Sequence, residues 1–135
     1  MRTILRLAII ATISLTACNK GNNNPVVIDE YYVKYEVNSS TIYSGVKLNA
    51  TITDEKNNTK TIIIDARSSW GTIIGPVKKG FKATLNVTCP TETYGQLRLY
   101  TQISVSKNSS PFALKKIDGS DTPRNSVQID YTIDY

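Results

Sequence analysis

Few residues of this 135-residue chain could carry chemistry, and histidine is absent among them. Without an imidazole there is no Ser-His-Asp or Cys-His relay, and a catalytic zinc loses its usual ligands. No G-x-S-x-G turn presents a serine nucleophile. The tightest acidic pair lies in Asp118-Gly119-Ser120-Asp121. Two carboxylates fall well short of the roughly six to eight oxygens that Ca²⁺ takes, so the segment reads as an ordinary turn. A glycosidase pair would have to be drawn from Asp65, Glu92 and Asp118, and nothing in their spacing supports one. The expectation is therefore a protein that is not an enzyme and holds no cofactor and no metal.

Charge and aromatic residues leave binding as the remaining class. The chain has 16 basic and 11 acidic side chains, a net charge of +5. Lys78-Lys79 and Lys115-Lys116, with Lys82, fit solvated turns and strand faces better than a patch for acidic headgroups or glycans. Aromatic residues are not interleaved with these lysines, so no nucleic-acid partner is expected. Tyrosine supplies eight of the eleven aromatic residues. Tyr31, Tyr32 and Tyr35 cluster in one segment and Tyr131 and Tyr135 in another; if those segments were neighbours they would form a ladder or a ligand platform. Trp70, the lone tryptophan, fits either a core anchor between sheets or an exposed binding residue. If a ligand is bound through aromatic stacking, Tyr32, Trp70 and Tyr100 are the candidate contacts. Five Asn-x-Ser/Thr sequons, beginning at Asn38, Asn49, Asn57, Asn86 and Asn108, mark an Asn/Thr-rich surface.

Residues 1–17 have the layout of a secretory signal: Arg2 and Arg6, then a short apolar stretch from Leu7 to Leu15, then small residues. The stretch is too short to span a bilayer as a helix. Its end, Leu15-Thr16-Ala17-Cys18, resembles a bacterial lipobox. That resemblance implies cleavage between Ala17 and Cys18 and lipid attachment at Cys18, with the acyl chains as the membrane anchor. Loss of Arg2 and Arg6 with the signal lowers the net charge from +5 to +3. Residues 18–30, with Asn19-Lys20-Gly21-Asn22-Asn23-Asn24-Pro25, read as a polar tether similar to those opening lipoproteins of the Bacteroidetes. Chains of that group bound for the cell surface tend to carry acidic residues just after the cysteine. Here Lys20 comes first and no acid precedes Asp29, which favours an outer-membrane lipoprotein facing the periplasm. With Cys18 acylated, Cys89 is the one remaining thiol, and its place in the row Phe81, Ala83, Leu85, Val87 points it at the core.

From Tyr31 to Tyr135 the dominant period is two. Apolar rows Tyr31/Val33/Tyr35/Val37, Val46/Leu48/Ala50/Ile52, Phe81/Ala83/Leu85/Val87, Leu97/Leu99/Thr101/Ile103/Val105 and Val127/Ile129/Tyr131/Ile133/Tyr135 alternate with polar rows. Three further strands are expected over 59–66, 69–74 and 112–117. Turn signals stand between them, at Ser39-Ser40 with Ser44-Gly45, at 54–58, at Gly75-Pro76, at Lys79-Gly80, at 90–95, at 108–111 and at 118–125. Seven to eight short strands in roughly 105 residues predict an all-β fold, an immunoglobulin-like antiparallel β-sandwich over residues 31–135, with a small barrel as the alternative.

Val33-Lys34-Tyr35-Glu36-Val37, Ala50-Thr51-Ile52-Thr53-Asp54-Glu55, Trp70, Val77-Lys78-Lys79-Gly80-Phe81 and Ile103-Ser104-Val105-Ser106-Lys107-Asn108 resemble, in order and spacing, the extracytoplasmic domain of MmpS-type small membrane proteins. The resemblance implies an immunoglobulin-like sandwich and an accessory role beside a lipid-exporting transporter. Those proteins are anchored by a transmembrane helix where this chain has a lipobox. The function expected is a non-enzymatic, lipid-anchored envelope module that binds or supports a protein partner. A carbohydrate-binding envelope lipoprotein is the alternative, with a glycan as partner.

Overall fold

The computed structural model describes residues 28–135, so the signal segment, Ala17, Cys18 and most of the tether lie outside the described residues. Eight strands follow one another: β1 (Tyr31–Thr41), β2 (Lys47–Thr53), β3 (Thr59–Asp65), β4 (Trp70–Val77), β5 (Lys82–Thr88), β6 (Leu97–Lys107), β7 (Ala113–Gly119) and β8 (Ser126–Thr132). They form two four-stranded antiparallel sheets, β4-β1-β6-β7 and β3-β2-β5-β8. The all-β antiparallel sandwich expected from the alternation is what the chain builds. Only β2–β3 and β6–β7 are hairpins within one sheet; every other connection crosses between the sheets.

The inward rows interdigitate as a single core. Val33, Tyr35, Leu48, Ala50, Leu85, Val87, Leu97, Leu99 and Ile103 are all buried. Tyr35 is wholly enclosed and its hydroxyl donates to the Thr53 carbonyl at 2.9 Å, which satisfies its one polar atom across the sandwich. Burial holds the Tyr35 hydroxyl well above the usual phenol range. β8 closes the second sheet through Val127 and Ile129, and Ile133 beyond its end is also buried. Ile133 exchanges backbone hydrogen bonds with Gly80 and Phe81 at 2.8 and 3.0 Å.

Three local expectations are corrected. Ser39-Ser40 is not a turn: β1 runs on to Thr41, paired with β6 as far as Leu97. The next position of the inward row simply falls on a serine, and Ser39 Oγ is buried without a hydrogen-bond partner. Gly75-Pro76 likewise lies inside β4, an edge strand, where the missing proline N–H costs no internal ladder bond. Cys89 packs against the core as its row predicts but is half-buried, not buried, because β5 has ended at Thr88 and the residue sits at the margin with its amide on the Asn125 carbonyl.

The two segments rich in tyrosine are not neighbours, since β1 and β8 belong to different sheets. Tyr31 and Tyr135 nevertheless meet at the end of the sandwich, edge to face with centroids 5.7 Å apart, and the Tyr31 hydroxyl donates to the Tyr135 carbonyl. At this end the chain enters the domain. Asp29 pairs with Lys107 at 2.7 Å, and Glu30 and Asn108 are joined through both of their backbone amides. The fixed part of the chain thus includes Asp29 and Glu30, which the sequence places in the tether.

Candidate functional site

The outward faces of the two sheets differ. Residues opposite one another in an antiparallel pair share a face, so the register assigns each side chain. The outer face of β3-β2-β5-β8 is a polar field of Asn49, Thr51, Thr61, Asn86, Thr88 and Gln128, broken by Ile63 alone. The outer face of β4-β1-β6-β7 carries Tyr32, Lys34, Glu36 and Asn38 on β1 and Tyr100, Gln102, Ser104 and Ser106 on β6. It is flanked by Ile73 on one edge strand and by Leu114 and Ile117 on the other, 54%, 54% and 58% exposed.

Glycines on the edge strands let the central side chains lie flat. A Cβ at Gly119 would stand 3.1 Å from Tyr100 Cγ and 3.2 Å from its Cβ, so the ring occupies the space above Gly119. The Tyr100 hydroxyl reaches past that glycine and donates to an Asp121 carboxylate oxygen. This hydrogen bond, ahead of desolvation, raises the Tyr100 hydroxyl above its ordinary value. Tyr32 covers Gly75 in the same way: a Cβ there would meet Tyr32 Cδ1 at 2.8 Å. Gly71 gives the same clearance to Glu36, whose Cγ would be 3.3 Å away. Aromatic cover of an edge glycine restores cross-strand packing that glycine cannot supply.

At the end remote from chain entrance, this face holds a cleft of about 320 Å³. Its lining includes Glu36, Asn38, Trp70, Tyr100, Gln102 and Ile117. Three polar contacts fix its floor. Glu36 pairs with Lys34 at 2.7 Å and accepts from Gln102 Nε2 at 2.7 Å, and Ser69 Oγ is 3.3 Å from Asn38 Oδ1. The Lys34 hydrogen bond, followed by that of Gln102, holds the Glu36 carboxyl below its ordinary range against the opposing effect of burial. Trp70 is both anchor and lining: opposite Val37 it packs against the core, yet it stays half-buried at the cleft.

Of the three aromatic candidates, Trp70 and Tyr100 therefore come together and Tyr32 does not. Tyr32 faces Ser106, six residues along β6 from Tyr100, which at ~3.3 Å per residue is about 20 Å. There its hydroxyl is 3.3 Å from Glu30 Oε2. The polar neighbours Glu36, Asn38 and Gln102 and the apolar Ile117 were not singled out by the sequence. As binding residues they carried no signal there: Asn38 stood out only as a sequon, Glu36 only within the segment that resembles MmpS-type domains, and Gln102 and Ile117 only as members of a polar row and a short strand.

The other chemistry-bearing residues are engaged elsewhere. Asp118 takes a two-pronged pair from Arg124 at 3.0 and 3.2 Å, and Asp121 serves Tyr100 and, through its carbonyl, Arg98. Asp65 binds Lys47 and the Arg67 amide, which hold its carboxyl below the ordinary range, the amide contributing most. Ser-x-x-Lys spacing occurs at Ser44–Lys47 and Ser104–Lys107, but Lys47 and Lys107 are paired to Asp65 and Asp29. Among the described residues no group of three or more Asp, Glu or Cys side chains has the arrangement of a metal site. Lys82 pairs with Asp130 at 3.7 Å, and the Lys115 ammonium lies 4.0 Å from the centre of the Tyr135 ring. A second cleft, of about 390 Å³, is lined by Glu55, Asn57, Lys78, Lys79 and Phe81 among others. No protein-family model matches the chain, and no curated protein matches it.

Proposed function

We propose that the protein is a non-enzymatic, lipid-anchored module of the cell envelope that engages a protein partner through the outer face of β4-β1-β6-β7. The observation that carries the reading is the difference between the two faces. Three branched aliphatic side chains and two flat-lying tyrosines stand on one, against a single isoleucine on the other. Apolar groups gathered around fixed polar ones are what a protein contact needs, with Ile73, Leu114 and Ile117 supplying burial and Glu36 and Gln102 supplying register. The lipobox-like Leu15-Thr16-Ala17-Cys18 supports a lipid anchor, and Lys20 with no acid before Asp29 supports an outer-membrane position facing the periplasm. The resemblance to MmpS-type domains makes a membrane transporter or envelope assembly the partner to look for first.

The test is metabolic labelling with a palmitate analogue, followed by cross-linked pull-down from membranes, on the intact chain and on Cys18→Ser. Labelling of the intact chain alone, with a reproducible partner, is the expected result. Label that persists in Cys18→Ser overturns the anchor, and the absence of any reproducible partner overturns the accessory role.

A further inference from the structure

We propose that the cleft lined by Trp70, Tyr100, Glu36, Asn38, Gln102 and Ile117 is a binding site for a neutral saccharide. The cleft shares Glu36, Gln102, Tyr100 and Ile117 with the face proposed for the protein contact, and the closing experiment separates the two readings.

The chemistry of a pyranose is an apolar face of C–H bonds with hydroxyls around the rim. A complementary site offers a flat aromatic surface beside planar groups that donate and accept together. Tyr100 provides the surface. One side of its ring lies over Gly119, its hydroxyl is tied to Asp121, and it remains only half-buried. Its orientation is fixed before any ligand arrives, so little side-chain entropy remains to be lost on binding. Ile117, on the same face beside Gln102, extends the apolar part.

Planar polar groups stand beside it. The Gln102 amide spends one N–H on Glu36 and keeps its second N–H and its carbonyl oxygen. Asn38 has its Oδ1 near Ser69 and its amide N–H groups still available. Glu36 retains lone pairs after its contacts with Lys34 and Gln102. These sets suit vicinal hydroxyls, each of which gives one hydrogen bond and takes another.

Charge selects among saccharides. The one carboxylate in the lining is balanced by Lys34, and no lysine or arginine lines the cleft. A phosphorylated, sulfated or uronic-acid sugar would find no cation there and would meet the Glu36 carboxylate, whereas a neutral sugar meets no charge penalty. The volume, about 320 Å³, stands at the small end of the ~300–1,000 Å³ range of ligand sites and suits one or two sugar rings of a longer chain.

Trp70 is the lone tryptophan and lines the cleft, so its fluorescence reports the site. All eight strands and the core lie within 28–135, so the chain from residue 19 onward lacks none of the described contacts. That chain is titrated with maltohexaose, cellohexaose, xylohexaose, mannohexaose and chitohexaose, by Trp70 fluorescence and by calorimetry. At least one is expected to bind with Kd of order 10 µM to 1 mM. Tyr100→Ala and Gln102→Ala should each weaken it tenfold or more. Tyr100→Phe, which keeps the ring, should retain it within about threefold, and Tyr32→Ala, about 20 Å away, within twofold. The proposal is overturned if none of the five binds by either method. It is equally overturned if Tyr100→Ala and Gln102→Ala leave affinity unchanged, or if Tyr32→Ala weakens it as much. Silence towards all saccharides with loss of a cross-linked protein in Tyr100→Ala would give the cleft to the protein partner, and so leave the functional reading standing while removing this one.

Discussion

Substituting Gly119 by alanine probes the architecture of the cleft with a single methyl group. Elsewhere in a strand this change is favourable by about 0.5–1 kcal/mol, since alanine has less backbone freedom to lose. Here the new Cβ would stand 3.1 Å from Tyr100 Cγ and 3.2 Å from Tyr100 Cβ. Those atoms are the root of the side chain, fixed by the strand on which they sit, so the ring must leave its position and release Asp121. Overpacking of this kind costs about 1–3 kcal/mol. Set against the backbone gain, Gly119→Ala should destabilise the fold by about 1–2 kcal/mol. In a Tyr100→Ala background the obstruction is gone and the same substitution should become stabilising, by a few tenths to about 1 kcal/mol. The assay is urea unfolding of the four proteins of this double-mutant cycle, followed by circular dichroism. A change of sign between the two backgrounds is the expected result. If Gly119→Ala is neutral or stabilising with Tyr100 present, or if the two substitutions are additive, Tyr100 does not lie over Gly119 and the preorganised platform is refuted.

Tyr35→Phe should cost about 1–2 kcal/mol at pH 8, because it leaves the Thr53 carbonyl without its buried partner. The Tyr35 hydroxyl is held above the ordinary phenol value of 10.0, so its stabilising effect is complete below about pH 10 and is lost as pH rises towards the folded value. The stability gap between wild type and Tyr35→Phe should therefore narrow above pH 10, by at most about 1.4 kcal/mol per pH unit, as read by unfolding curves from pH 8 to 11.5. A constant gap would show that the hydroxyl titrates normally. Ile133→Ala should cost about 2–4 kcal/mol in chemical denaturation, since a buried side chain is replaced by a void beside Phe81; a loss under 1 kcal/mol would place Ile133 outside the core. Ile117→Glu should leave stability within about 0.5 kcal/mol while removing the cross-linked partner, whereas a partner retained at wild-type yield would exclude Ile117 from the contact.

β1, β2, β5, β6 and β8 were legible because a sandwich sets inward apolar against outward polar positions, whereas β3, β4 and β7, which carry Ile63, Ile73, Leu114 and Ile117 outward, were marked mainly by the turns around them. Tyr31 to Val37 and Lys82 to Val87 obey the inward–outward rule without exception. The rule failed where a position was dictated by something other than its own polarity. Ser39 continues an inward row although it is polar, and Pro76 sits in a strand because that strand is an edge. Ser104 and Ser106 lie on the outward face and are still buried, being small residues beneath the longer side chains of Lys34 and Tyr32 opposite them. The cleft was half legible. Trp70 and Tyr100 stand out by residue type, but their meeting depends on the register of β1 with β4 and with β6, which joins positions about 30 residues apart. The same register separates Tyr32 from both. The part played by Gly71, Gly75 and Gly119 could not be read at all, because a glycine in a strand shows its purpose only when the side chain lying over it is known.

The central claim, that one outward face of the sandwich is the working surface of an envelope module, is tested most directly by photo-cross-linking in the intact cell. A photoreactive amino acid is placed singly at Ile73, at Ile117 and, on the opposite face, at Ile63, all exposed positions whose replacement leaves the core untouched. The account predicts a discrete cross-linked protein from Ile73 and Ile117 and none from Ile63. Adducts from Ile63 alone, or equal adducts from both faces, would contradict it.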